Sequence, residues 1–162
     1  MVDKLKTDPP HLKKGVDEKA TKQLDQQELS FNYHEQFLRQ LYRQYNIEVN
    51  HAILFYVEDH EEPVIFVGKD KIIVGREDAM GRITPEFETT RFNGSANGIS
   101  RMHAKIVREG DQYLIQDLGS TNGTRLNGNK LVPYQYVPLH DGAILQFGRL
   151  MVSAFIINRD ED

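Results

Sequence analysis

From His51 onward the chain alternates short β-branched and aromatic runs with turn dipeptides, and this rhythm constrains the fold more than any other feature. Gly110-Asp111, Asn122-Gly123, Asn127-Gly128 and Asp141-Gly142 are the punctuation. Asn-Gly and Asp-Gly tolerate the positive φ that tight hairpin turns demand. Ala52–Val57, Val64–Val67, Lys71–Val74, Ala104–Arg108, Tyr113–Gln116, Ile144–Phe147 and Met151–Ile157 have the composition of strands. Many short strands with no helical stretch between them predict an all-β sandwich of two antiparallel sheets. No repeat of fixed period accompanies them.

The first fifty residues follow other rules. Residues 1–30 are polar, carry Pro9-Pro10 and Gly15 as breakers, and read as a largely disordered tail. Over 31–49 the pattern becomes helical. Tyr33, Phe37, Leu38, Leu41, Tyr42 and Tyr45 recur at intervals of three and four, placing them on one helix face. Asn32 can cap the start, and Glu35 completes a capping-box-like pair. So short an amphipathic helix is marginal alone, so it is expected to dock on the following domain or on another chain as an oligomerisation element. The chain thus divides into a tail (1–30), a short amphipathic helix (31–49), a β domain (50–159) and an acidic end (160–162).

Composition removes several function classes. With no cysteine, disulfides, thiolate nucleophiles and cysteine metal sites are excluded. The N-terminal stretch has no apolar core of a secretory leader, and the longest apolar run, 52–57, is too short to span a bilayer. A net charge of −4 argues against bulk nucleic-acid binding. These observations lead us to expect a cytoplasmic protein without membrane or nucleic-acid partners. The six histidines show no H-x-x-x-H spacing, and no G-x-S-x-G or glycine-lysine phosphate loop occurs. No catalytic residues, metal or cofactor are therefore expected. The acidic cluster of Glu58, Asp59, Glu61 and Glu62 around His60 reads as a solvated loop.

Four segments at strand ends belong together: Val74-Gly75-Arg76, Ser100-Arg101-Met102-His103, Ser120-Thr121-Asn122-Gly123-Thr124, and Leu139 to Gly148. Strand-end loops of a sandwich cluster at its two ends, and loops on a rigid scaffold are the usual place for recognition. Arginine, serine, threonine and asparagine on neighbouring loops offer charge with several neutral donors, which suits a phosphate ester. Taken singly, each segment has a structural reading. Arg76 can be a solvated charge, Ser120 to Thr124 a good turn, and His103 a satisfied buried histidine.

Together, in this order and spacing, the four segments resemble the signature of the forkhead-associated (FHA) domain family, over about Asn50 to Asn158. The resemblance implies an FHA/SMAD-like sandwich whose loops at one end bind a phosphothreonine peptide. By motif position Arg76 resembles the phosphate-binding arginine and Ser100 the serine whose hydroxyl meets the phosphate. Thr121 and Asn122 match contacts to phosphate or peptide backbone, and Arg101 a second polar or basic contact. Gly75, His103 and Gly123 resemble residues that support the site. The implied function is a non-enzymatic signalling adaptor or regulator downstream of a Ser/Thr kinase. Its partner would be a phosphothreonine-containing protein, a kinase or kinase substrate, or a phosphothreonine of its own chain. Thr84, Thr89, Thr90, Thr7 and Thr21 are candidates for the latter. A phosphate-independent scaffold or oligomerisation protein using the same fold is the alternative.

Two departures from the family pattern stand out. The stretch from Glu77 to Ile99 is long for a connection. It reads either as a source of extra peptide contacts through Arg82 or Arg91, or as a flexible bystander. Ala143 stands where an acidic residue is common, with a consequence expected for turn stability alone.

Overall fold

Each of the seven β-rich runs becomes a strand. The computed structural model describes residues 51–158 and the isolated positions Gln36, Gln40 and Arg43. The strands in chain order are β1 (His51–Val57), β2 (Val64–Val67), β3 (Lys71–Gly75), β4 (Phe87–Glu88), β5 (Ala104–Glu109), β6 (Gln112–Asp117), β7 (Thr124–Leu126), β8 (Asn129–Lys130), β9 (Val137–Leu139), β10 (Ala143–Phe147) and β11 (Leu150–Asn158). A 3₁₀ turn, Thr90–Phe92, follows β4. The expected tail and the apolar face of the expected helix lie outside the described residues. Gln36, Gln40 and Arg43 are helical and exposed.

Two sheets result. One has six strands in the order β2-β1-β11-β10-β7-β8, and the other five in the order β4-β3-β5-β6-β9. All pairs are antiparallel except β3 with β4, where Val74 lies beside Phe87 and Gly75 beside Glu88 in parallel register. That pair corrects the expectation of purely antiparallel sheets. A parallel partner needs a crossover, and the long 76–86 connection supplies it.

Inward-pointing residues alternate along the strands, as the period of two requires. Ile53, Phe55 and Val57 of β1, Leu145 and Phe147 of β10, and Val152 and Ala154 of β11 meet Ile72, Val74, Ala104, Ile106, Tyr113 and Ile115 across the interface. Phe87 of β4 lies at the centre of an aromatic cluster. Its ring sits 5.0 Å from Phe55, 5.9 Å from Phe92 and 6.5 Å from Phe147. Offset and edge contacts of this kind add to the simple burial of area.

The 77–99 stretch is therefore part of the core and not a flexible bystander. Phe87, Thr89, Phe92 and Ile99 are all buried. Its far end is pinned as well. Asn97 accepts from the Arg149 backbone at 2.8 Å, and its side chain donates to the Phe92 carbonyl at 3.0 Å. Ala143 is also a core residue, too enclosed for a carboxylate. Nearby Asp141 instead accepts from the Ile156 N–H at 2.8 Å.

Register determines which loops share an end. Val74 pairs with Ala104, Ala104 with Asp117, and Thr124 with Phe147. The loops after β3, before β5 and between β6 and β7 therefore meet at one pole. His51 pairs with Asn158, and the Asn158 amide donates to the Asp111 carbonyl at 2.8 Å, so this β domain is entered and left at the other pole.

Phe87→Ala should lower stability by about 3–5 kcal/mol, the usual cost of emptying a buried phenylalanine site. Urea unfolding checks this. A loss below about 1 kcal/mol would mean that the segment is peripheral to the core.

Candidate functional site

At the loop pole each expected residue is held by a contact to a different loop. β3 ends at Gly75, whose Cα lies against the Arg101 carbonyl so closely that any Cβ would overlap it. The His103 N–H donates to the Val74 carbonyl at 2.8 Å, and the Thr89 hydroxyl to the Gly75 carbonyl at 2.7 Å. The end of β3 is thus clasped from both sides, and Arg76 leaves it in a set direction. The Arg76 Nε donates to the Ile99 carbonyl at 2.9 Å. One nitrogen of the guanidinium is anchored, and its two Nη groups remain as a planar pair of donors.

Ile99 precedes Ser100, so Arg76 and Ser100 occupy the same end of the molecule. The Ser100 Oγ accepts from the Thr121 N–H at 3.1 Å. Its hydroxyl hydrogen is left to donate elsewhere. The Asn122 amide donates to the Gly98 carbonyl at 2.9 Å. Gly98 has φ +74°, and a Cβ there would collide with the Asn122 side chain. Thr121, Asn122 and Arg101 are exposed, while Arg76 and Ser100 are half-buried. The structure therefore brings Arg76, Ser100, Arg101, Thr121 and Asn122 to one pole.

His103 holds the two main loops together from beneath. It is fully buried, and its Nδ1 accepts from the Ser100 N–H at 3.1 Å. Its Nε2 lies 2.9 Å from the Gly123 carbonyl and must carry the proton for that bond to form. The two partners together select the neutral Nε2–H tautomer, because a protonated Nδ1 would confront the Ser100 N–H. Burial pushes the His103 pKa below its ordinary value, partly opposed by the Gly123 carbonyl and the Asp117 charge. The His103 ring stands edge-on to Phe147, which joins the site to the core.

Asp117 is the residue that sequence reasoning missed. It is buried at the end of β6 and accepts from the Gly119 and Ser120 N–H groups and from the Ser120 and Thr124 hydroxyls. Burial alone would raise its pKa, but these hydrogen bonds outweigh it and hold the carboxyl below the usual carboxylate range. The Ser120 Oγ in turn accepts from the Gly123 N–H at 3.0 Å. The turn is thus wound around one carboxylate, and Ser120 serves its shape. The signal was available: an aspartate two residues before a Gly-Ser-Thr-Asn-Gly turn is a ready Asx-type organiser.

Two arginines of the 77–99 stretch are already engaged. Arg82 pairs with Asp78 at 3.2 Å, and Arg91 covers the Phe92 ring at 4.7 Å. The Asp78 carboxyl is held below its usual range by the Met80 N–H and then Arg82, with the fields of Arg101 and Arg76 added. Asp78 is therefore a local counter-charge to the site arginines. Thr89 is completely buried, so its hydroxyl is closed to a kinase in the folded domain, unlike exposed Thr84 and Thr90. Among the described residues no three His, Asp or Glu side chains come together as a metal site, and no helix is long and apolar enough to cross a membrane.

Comparison with known proteins gives this geometry a setting. The family model described as "FHA domain" matches residues 72–148. An FHA domain-containing protein of Arabidopsis thaliana is 47% identical over 51 residues, 32% of this chain and 13% of that protein. Protein FraH of a Nostoc species is 32% identical over 98 residues, 60% of this chain and 33% of FraH. The chain thus matches a third or less of either protein's length. The solution structure of the FHA domain of an Arabidopsis thaliana hypothetical protein is similar at TM-score 0.51 and 29% identity, covering 70% of this chain and 89% of that one.

The His103 imidazole should titrate below its ordinary value of 6.5 in the folded protein. Both states are neutral above 6.5, so stability is then at its full value. As pH falls below 6.5 the unfolded chain takes protons first, and stability declines until the lowered folded pKa is reached. His51 is shifted in the same direction, chiefly by burial, and adds to the decline. Histidine NMR titration separates the two. A His103 midpoint above 6.5 would contradict the assigned tautomer and its two bonds.

Proposed function

This chain carries an FHA domain, and we propose that it uses the domain to bind phosphothreonine in a partner protein. The family is one of binding modules. In this reading the chain is a non-enzymatic signalling adaptor downstream of a Ser/Thr kinase, working in the cytoplasm. The observation that carries the reading is the convergence of the Arg76 guanidinium and the Ser100 hydroxyl through one short link, the Ile99 carbonyl.

The physical case follows from charge and geometry. A phosphothreonine at neutral pH carries nearly two negative charges and three strong acceptor oxygens. The free Nη pair of Arg76 can bind two of those oxygens side by side. The Ser100 hydroxyl, its oxygen already accepting from Thr121, can donate to a third. Arg101 adds positive charge from the exposed side. Asn122 has its carbonyl oxygen and a second amide hydrogen left to meet a peptide backbone. Arg76, Ser100 and Asn122 are held before a ligand arrives by the Ile99 carbonyl, the Thr121 N–H and the Gly98 carbonyl. Preorganisation of this kind is itself a source of affinity.

The partner in this reading is a kinase or kinase substrate. A phosphothreonine of the same chain is a further ligand, with exposed Thr84 and Thr90 the sites within the described residues and Thr7 and Thr21 the sites in the tail.

A phosphopeptide library compared with its dephosphorylated counterpart tests the proposal. The wild-type protein should retain the phosphorylated members. Arg76→Ala should weaken capture by about 100-fold or more, since two hydrogen bonds to a charged group contribute roughly 1.5–3 kcal/mol each. Its thermal melt should match the wild type. Equal capture of both libraries, or unchanged capture by Arg76→Ala, would reject the site and favour a phosphate-independent scaffold.

A further inference from the structure

Most cations near the loop pole are already occupied. Arg82 pairs with Asp78, Arg91 covers Phe92, Lys105 covers Tyr136, Arg125 donates to the Gly128 carbonyl and Arg149 to the Ala96 carbonyl. Arg76 and Arg101 belong to the candidate site itself, and of the remaining cations there Lys130 on β8 has no ion pair, ring or hydrogen-bond partner among the described residues. Its side chain is exposed, yet its path is defined. The stem lies across Gly123, where an added Cβ would stand 2.9 Å from the Lys130 Cε and 3.6 Å from its Nζ. Gly123 is therefore glycine for two reasons, its φ of +80° and the lysine that crosses it.

This places the ammonium beside the residue that follows Asn122. The links Arg76 to Ile99 and Ser100 to Thr121 mark one part of the pole, and Lys130 joins it from beyond Asn122. In the phosphothreonine reading, an ammonium beside Gly123 would face the peptide next to the phosphate rather than the phosphate held by Arg76 and Ser100. Gly123 brings no side chain, and the nearby carboxylate of Asp117 is buried and filled by four donors. Among the described residues no carboxylate forms an ion pair with the lysine.

We propose that Lys130 is a specificity-determining residue that selects an acidic side chain near the phosphothreonine, on the stretch of peptide passing Asn122. This inference rests on the phosphothreonine reading of the site. The preference is modest, because an exposed pair is screened by water and salt.

The test is fluorescence anisotropy with phosphothreonine peptides in an alanine background, each carrying one Asp, Ala or Lys at one flanking position. Wild type, Lys130→Met and Lys130→Glu are compared. Lys130→Met keeps the apolar stem over Gly123, and matched melting curves establish that each variant is folded. The wild type should bind peptides with Asp at one flanking position about two- to fivefold more tightly than with Ala. Lys130→Met should lose that preference and Lys130→Glu should turn it towards Lys, both still distinguishing phosphothreonine from threonine. An acid preference that survives in Lys130→Met, or none at any position in the wild type, overturns the role of Lys130 alone. A wild type that does not distinguish phosphothreonine from threonine overturns the site reading and this inference with it.

Discussion

The site depends on one buried imidazole with two obligatory partners. His103 accepts from the Ser100 N–H and donates to the Gly123 carbonyl, so the 98–103 and 119–124 loops are bridged by a single ring. The ring is fully buried, so leaving either bond unmade would strand a buried ring nitrogen. The geometry leaves the ring no freedom of tautomer. It also explains why the histidine lies three residues after the serine: the loop turns back so that the ring reaches the Ser100 backbone. The exposed side chains take their positions from this hidden bond pair and from the Asp117 carboxylate beside it.

Support for the site continues inward without a break. The His103 ring abuts Phe147, Phe147 abuts Phe87, and Phe87 abuts Phe55. Close-packed interiors deform little, so loops seated on such a row inherit its rigidity. The long connection between β3 and β5 contributes to this support instead of hanging from it. It supplies Phe87 and Phe92 to the core, holds the end of β3 through Thr89, and presents the Ile99 carbonyl that orients Arg76. A segment that reads as an insertion thus shapes the loop pole from below.

Charge is distributed unevenly over the molecule. The chain is net negative at −4, yet Arg76, Arg101 and Lys130, none of them in an ion pair among the described residues, gather at the loop pole. A local concentration of positive charge on a net negative protein favours anions at that place over the rest of its surface. Asp78 tempers the field near Arg76 and Arg101, so the pole is not uniformly positive. Because the described chain enters and leaves at the opposite pole, nothing in the β domain's own connectivity crosses the proposed surface.

Much of this was legible in the residues alone. The seven longer strands follow from β-branched runs between Asn-Gly and Asp-Gly turns, because alternation and turn chemistry are local properties. β4, β7, β8 and β9 were not legible, since two or three residues carry no period. Phe87 and Phe92 sit in a polar, glycine-containing stretch that locally resembles a loop. Arg76, Ser100, Arg101, Thr121 and Asn122 stand out by motif as candidates, whereas Asp117 and Lys130 do not, because what singles them out is what they touch. The sequence by itself determined which residue types stand at the strand ends and that the strands form a sandwich. Only the tertiary structure decided that Arg76 is aimed by a carbonyl 23 residues away and that Asn122 is tied to Gly98 across 24. Pairings over such separations are set by strand register and sheet packing, which no local pattern encodes.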